Sequence, residues 1–195
     1  MILPIVQYGH PALRQKGAEI HEVTDAVRQL VKDMIETMHA ANGLGLAAQQ
    51  VGKALQLTVL DARKSDRPSQ LFLGVMEMPL DSMMPLVLLN PKITRLEGGE
   101  IGQEGCLSFP KIYLDISRAH TIHVAAIGLD GRSLQFVATG LLSRAIQHEM
   151  DHLQGVLFID KVAPAALEPL ESDLQKLKIQ TLAELKKKKR KKPRG

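Results

Sequence analysis

Between residues 24 and 41 apolar side chains recur every three or four positions, and Val27, Leu30, Val31, Met34, Ile35 and Met38 fall on one face. That spacing predicts an amphipathic helix, capped by Thr24 and stopped by Asn42-Gly43. The pattern then shortens. Residues 55–60 read as a strand and residues 86–89 as another, ending at Asn90-Pro91. Residues 121–127 and 134–138 read as a hairpin turning through Asp130-Gly131. After Gly140 the helical period returns in Leu141, Leu142, Ala145, Ile146, Met150 and Leu153 and stops at Gly155, which predicts a central, buried helix. A last helix is expected from about residue 167 to beyond 185, carrying Leu170, Leu174, Leu177 and Leu182. Helices flanking a run of short strands, without βαβ alternation, predict an α+β fold. Its strands are expected to be mostly antiparallel, around the central helix. Residues 1–165 form one expected domain, and residues 166–195 a C-terminal helix and basic tail. Residues 62–85, rich in Pro, Ser and Met, are expected to be irregular.

Composition narrows the class. The 195 residues are 45% hydrophobic and 24% charged, ordinary for a globular chain with a real core. No apolar run reaches the roughly 20 residues a membrane helix needs, and MILPIVQYGH lacks a basic segment followed by an apolar signal core. A bacterial cytoplasmic protein is the expectation. Cys106 is the single cysteine, so an internal disulfide is excluded. The net charge of +4 is misleading, because the run from Lys186 to Arg194 carries eight positive charges and leaves the rest net acidic by four. Such a tail is a local anion-binding feature.

The strongest chemical signal is His148-Glu149-Met150-Asp151-His152. Residues four apart on a helix point the same way, so two imidazoles can grip one metal ion while Glu149 handles the proton of a bound water. A catalytic site needs a third protein ligand and an open position. Cys106, within Glu104-Gly105-Cys106-Leu107-Ser108, is the better candidate, since His10, His21, His39, His120 and His123 lack a comparable setting. Gly43-Leu44-Gly45-Leu46-Ala47-Ala48-Gln49-Gln50 is not a phosphate loop, because it follows a helix and lacks a third glycine and a Walker lysine. Its glycines leave backbone groups open to a ligand, and a nearby glutamine amide can donate to a developing oxyanion.

The three segments GLGLAAQQ, EGCLS and QHEMDH resemble the signature motifs of peptide deformylases, in the same order and with similar spacing. The likeness extends to IVQYGHPALR, LLNPKI, Ile116-Ser117-Arg118 and GLLSRAIQ, and covers most of residues 2 to 160. Gln49, Gln56 and the long 62–85 excursion depart from the usual pattern. The resemblance implies a metal-dependent hydrolase that removes the formyl group from the N-terminal methionine of nascent polypeptides. By it, Cys106, His148 and His152 bind Fe²⁺, with Zn²⁺, Ni²⁺ or Co²⁺ acceptable to the same donors. Glu149 moves the proton, while Gln50 and the Leu107 N–H hold the oxyanion. Leu44, Gly45 and Gly105 bond the substrate backbone, and Ile146 is expected to line the methionine pocket. Asp151 is expected to pair with Arg118. The basic tail is either a solubilising end or a contact with ribosomal RNA.

Two other classes compete. A zincin-like metalloprotease uses the same helix but takes a third ligand downstream. Beyond His152 there is no His, only Glu168, Glu171, Glu184, Asp160 and Asp173. A metal-stapled RNA-binding module would need a fourth protein ligand, and an aromatic content of 3% offers few base-stacking residues.

Overall fold

The computed structural model describes residues 1–191, with side chains to Lys187. Of the basic run, the side chains from Lys188 onward lie outside the described residues.

Helix α1 (Asp25–Ala40) begins where the period predicts, with Thr24 Oγ1 accepting the Val27 N–H at 3.4 Å and Asp25 in the first turn. Its buried face packs on two short strands, β1 (Gly45–Ala47) and β2 (Leu57–Leu60). Next come β3 (Ser69–Leu73), β4 (Met76–Met78) and a single helical turn, α2 (Leu80–Met83). Strands β5 (Leu86–Glu97), β6 (Glu100–Cys106), β7 (Phe109–Arg118), β8 (Thr121–Ile127) and β9 (Ser133–Thr139) lead into α3 (Gly140–Leu153). The chain ends in α4 (Pro164–Leu167) and α5 (Glu171–Lys191).

Seven strands form one antiparallel sheet in the order β1-β2-β5-β8-β9-β3-β4, and β6 pairs with β7 in a separate hairpin. Helix α3 lies on the sheet. Its Leu142 and Ile146 enter a core with Leu60, Leu71, Leu88, Ile122, Val124 and Phe136. Inward residues of β7, Phe109, Ile112, Leu114 and Ile116, join Leu157, Phe158 and Leu174 of α5 in a second core, so the C-terminal helix docks on the hairpin.

Three sequence expectations change. The strand beginning at Leu86 does not end at Asn90-Pro91 but runs to Glu97. Pro91 cannot donate a ladder bond, and a register irregularity between Leu89 and Lys92 absorbs it. Asn90 there donates to Ile20 O at 2.8 Å and accepts the Ile20 N–H at 2.9 Å. Half of the 62–85 segment is strand or helix, because Ser69–Leu73 pairs with β9 nearly seventy residues downstream. The last helix starts at Glu171, since Pro164 and Pro169 interrupt the chain before it.

Candidate active site

Each of the three motifs supplies one wall of a single cleft of about 510 Å³. The β1 segment brings Leu44, Gly45 and Gln50; the β6–β7 hairpin brings Gly105, Cys106 and Leu107; α3 brings His148 and Glu149. Glycines interlock the walls. A Cβ at Gly45 would lie 2.5 Å from Glu149 Oε1, and one at Gly43 would lie 2.8 Å from Leu107 Cδ1. At Gly45 a methyl would force Glu149 or β1 to shift, and at Gly43 the Leu107 tip would have to turn aside.

Helical phase places the chemistry. Leu141, Ala145, His148 and Glu149 face the cleft, and His152 follows one turn on. Ile146, two residues before His148, points to the opposite side and is fully buried in the sheet core. It therefore does not line the cleft as expected, and Leu141 and Ala145 occupy the cleft-facing positions of that helix.

Cys106, His148 and His152 present ligand atoms that all lie within 4.8 Å of one another. Cys106 Sγ is 3.3 Å from His152 Nε2. Ligands on a tetrahedral zinc-sized ion stand about 3.4–3.6 Å apart, close to the Cys106–His152 spacing. His148 Nδ1 bonds Glu104 Oε2 at 2.9 Å, which leaves Nε2 as the ligand atom. A thiolate and two imidazoles accept several divalent first-row metals. The residues fit a metal ion on a second count: Glu149 Oε2 is buried with no hydrogen-bond partner in the protein, beside the three donors. Burial pushes Glu149 up to about 7, against the pull of His148.

Gln50 is oriented by its carbonyl. Its Oε1 accepts the Ala47 N–H at 2.8 Å, so Nε2 is turned toward Cys106 Sγ and Ser108 Oγ, each at 3.5 Å.

Behind the three candidate donors lies a buried ionic network that the sequence pattern reveals only in part. Arg118 bonds Asp151, as expected, and also grips both oxygens of Glu104 at 2.9 Å. Arg144 donates to Glu104 Oε1 at 2.9 Å and to the carbonyls of Glu100, Gly102 and Ile116. Burial pushes the Glu104 carboxyl up, but hydrogen bonds from Arg118 and His148 prevail and hold it at about 2. Glu104 opens the EGCLS motif, and its position two residues before a ligand was the available signal. Arg144 gave none beyond an unpaired charge on a buried helix. Of the remaining histidines, His39 bonds Asp61, His123 bonds Glu97, and His10 caps a short helix, all away from the metal donors.

The polypeptide deformylase family model matches residues 2–168. The chain belongs to the polypeptide deformylase family. Members of that family are metal-dependent hydrolases that remove the formyl group from nascent polypeptides. The chain is 45% identical to a peptide deformylase of Methylacidiphilum infernorum over 91% of its length and 94% of that protein. It is 42% identical to one of Opitutus terrae, with 91% and 93% covered. Among solved deformylases, that of Thermus thermophilus superposes with a TM-score of 0.78 at 33% identity, covering 92% of this chain and 99% of that one. The Synechococcus elongatus enzyme, determined with actinonin, gives 0.71 at 41% identity over 86% and 85%. The third candidate donor lies upstream, at Cys106, and neither the zincin nor the RNA-module reading gains support.

Proposed function

We propose that this cleft is where the chain hydrolyses the formyl group of N-formylmethionyl peptides, and that Cys106, His148 and His152 hold one divalent metal there. The observation that carries the assignment is that Cys106, His148, Glu149 and Gln50 line one cavity, with His152 close enough to Cys106 and His148 to share a metal ion with them. Ferrous iron is the ion we assign from the family likeness, and Zn²⁺, Ni²⁺ or Co²⁺ suit the same donors. When bound, such an ion makes water nucleophilic at neutral pH and polarises the formyl oxygen.

The side chains do the rest. Glu149 takes the proton of the attacking water and returns it to the departing amine, so formate and a free methionine amine result. Its elevated pKa suits a group that must both accept and release a proton near neutrality. The Gln50 Nε2 and the Leu107 N–H donate to the oxyanion that develops on the formyl oxygen. Backbone groups of Leu44, Gly45 and Gly105 hold the peptide in strand-like fashion, and Leu141 and Ala145 flank the methionine side chain.

Formate release from formyl-Met-Ala-Ser by anaerobically prepared, iron-loaded protein tests the assignment. Activity should vanish in Glu149→Ala with metal still bound. Gln50→Ala should lower kcat roughly 10²- to 10³-fold with little change in KM. Full activity in either variant contradicts the roles given. Iron content measured on protein isolated without oxygen decides the metal, and exposure to air should inactivate an iron–thiolate site.

No helix among the described residues is long and apolar enough to cross a membrane. We place the enzyme in the cytoplasm, where nascent chains emerge. For the basic tail we favour ribosomal RNA contact, which should weaken steeply with salt and disappear on deleting residues 186–195.

A further inference from the structure

The outer part of the cleft carries charge that the chemistry at its base does not use. Glu104 and Arg144 line the cavity but are buried and committed to each other, to Arg118, to His148 and to backbone carbonyls. Glu149 is buried at the base. The two exposed ionisable side chains with full charge on the lining, Arg67 and Lys111, are both cations. Neither forms an ion pair with any described residue. Asp66, beside Arg67 in the chain, is not part of the lining. The protein apart from its tail is net acidic, so two unneutralised cations at the mouth run against the prevailing charge.

A second observation concerns the backbone. Lys111 has φ +61, the left-handed region that glycine or asparagine occupies far more easily than lysine. It sits where the hairpin register breaks: Gly105 opposes Tyr113 while Cys106 opposes Phe109, so residues 110–112 bulge out of β7. A bulge beside an active site re-aims a side chain, and strain retained at such a place points to use. Arg67 arrives from the 62–68 segment, the part of the long excursion before β3.

From these features we propose that Arg67 and Lys111 form a carboxylate-recognising subsite that takes an Asp or Glu side chain in the residues following the formylated methionine. The proposal rests on the deformylase reading and specifies its substrates: acidic N-terminal sequences are the favoured class. Side chains of an extended peptide alternate in direction, so only one of the first two positions after methionine faces the cations. Exposed pairs are individually weak, and cleft walls focus their field. Together they give a preference of about three- to tenfold, expressed in kcat/KM and reduced by salt.

The test uses metal-loaded enzyme and two series of C-terminally amidated peptides, formyl-Met-Xaa-Ala and formyl-Met-Ala-Xaa, with Glu, Gln or Lys at Xaa. Formyl-Met-Ala-Gln with a free carboxylate is included. Glu should exceed Gln about three- to tenfold at one position only, with Lys below Gln and the differences shrinking at high salt. In Arg67→Gln/Lys111→Gly the Glu-to-Gln ratio should fall to about one, and in Arg67→Glu/Lys111→Glu it should invert. A gain confined to the free-carboxylate peptide would mean that the cations read a chain terminus, and would overturn the proposal. Equal rates for amidated Glu and Gln peptides, with formate released from both, would overturn the subsite and leave the deformylase reading intact. Absence of formate from every peptide would overturn both. A full Glu preference in the double variants would remove these two residues from the assignment.

Discussion

Gly45 shows how much the site depends on single atoms. The hydrogen on its Cα is what lets the Glu149 carboxylate lie against β1, since a methyl there would sit 2.5 Å from Oε1 and 2.7 Å from Cγ. Gly45→Ala must therefore turn the Glu149 side chain or shift β1. A displacement of about 1 Å in a catalytic group can reduce turnover roughly 10²-fold. We expect a loss of that order in kcat, with metal content retained, as measured by formate release and metal analysis. Near-wild-type kcat would show that Glu149 has room to move. Gln56 illustrates the same dependence in the core, where its Nε2 donates to the Gly17 and Leu153 carbonyls, both at 3.1 Å, and satisfies the end of α3.

At the scale of elements, the proposed active site is a joint between α3 and the β6–β7 hairpin. The helix carries both histidines and the hairpin carries the thiol, so their relative placement decides whether three donors meet. Arg144 spans the joint, reaching from α3 to carbonyls on both hairpin strands and to Glu104. Removing one partner of a buried charge network leaves others unsatisfied, typically at a cost of about 3–5 kcal/mol. Arg144→Met should destabilise the metal-free protein by roughly that amount in urea unfolding. It should also speed loss of zinc to a chelator from the folded protein, which a purely global destabilisation at low denaturant would not do. Unchanged zinc release would confine Arg144 to stability.

At the scale of the whole molecule, folding should become acid-sensitive through two carboxylates. Glu104 is held at about 2 by Arg118 and His148, against its burial, and Asp61 at about 2 chiefly by Arg63 and secondarily by His39. Both pKa values are depressed in the folded state. The stability they contribute is complete above about pH 4.5, the ordinary carboxylate range, and is lost as pH falls toward 2. For Glu104 the linkage is on the order of 3 kcal/mol. Urea midpoints of metal-free protein measured between neutral pH and about pH 3 should fall steeply below pH 4.5, and Glu104→Gln should flatten that slope. A slope unchanged in the variant would assign the acid sensitivity elsewhere.

The amino-acid sequence by itself determined what local forces control. The period of three to four in residues 24–41 and after Gly140, the Thr24 cap, and the i, i+4 histidines act within a few residues of chain, and each appears where the pattern placed it. The three motifs carried the family, and they named the Cys106, His148 and His152 cluster that could hold a metal, because residue type and spacing suffice to identify them. Tertiary structure decided the rest. Whether residues 69–73 are a strand depends on β9, supplied much later in the chain, and Leu86–Glu97 continues past Pro91 only because its partners absorb the irregularity. The sequence pattern points Ile146 to the pocket, whereas it lies in the core, since helical phase relative to His148 matters only once the sheet has claimed one face of α3. The Glu104, Arg118 and Arg144 network joins groups that the sequence separates by 14 and 40 residues, and nothing short of their burial together makes them partners.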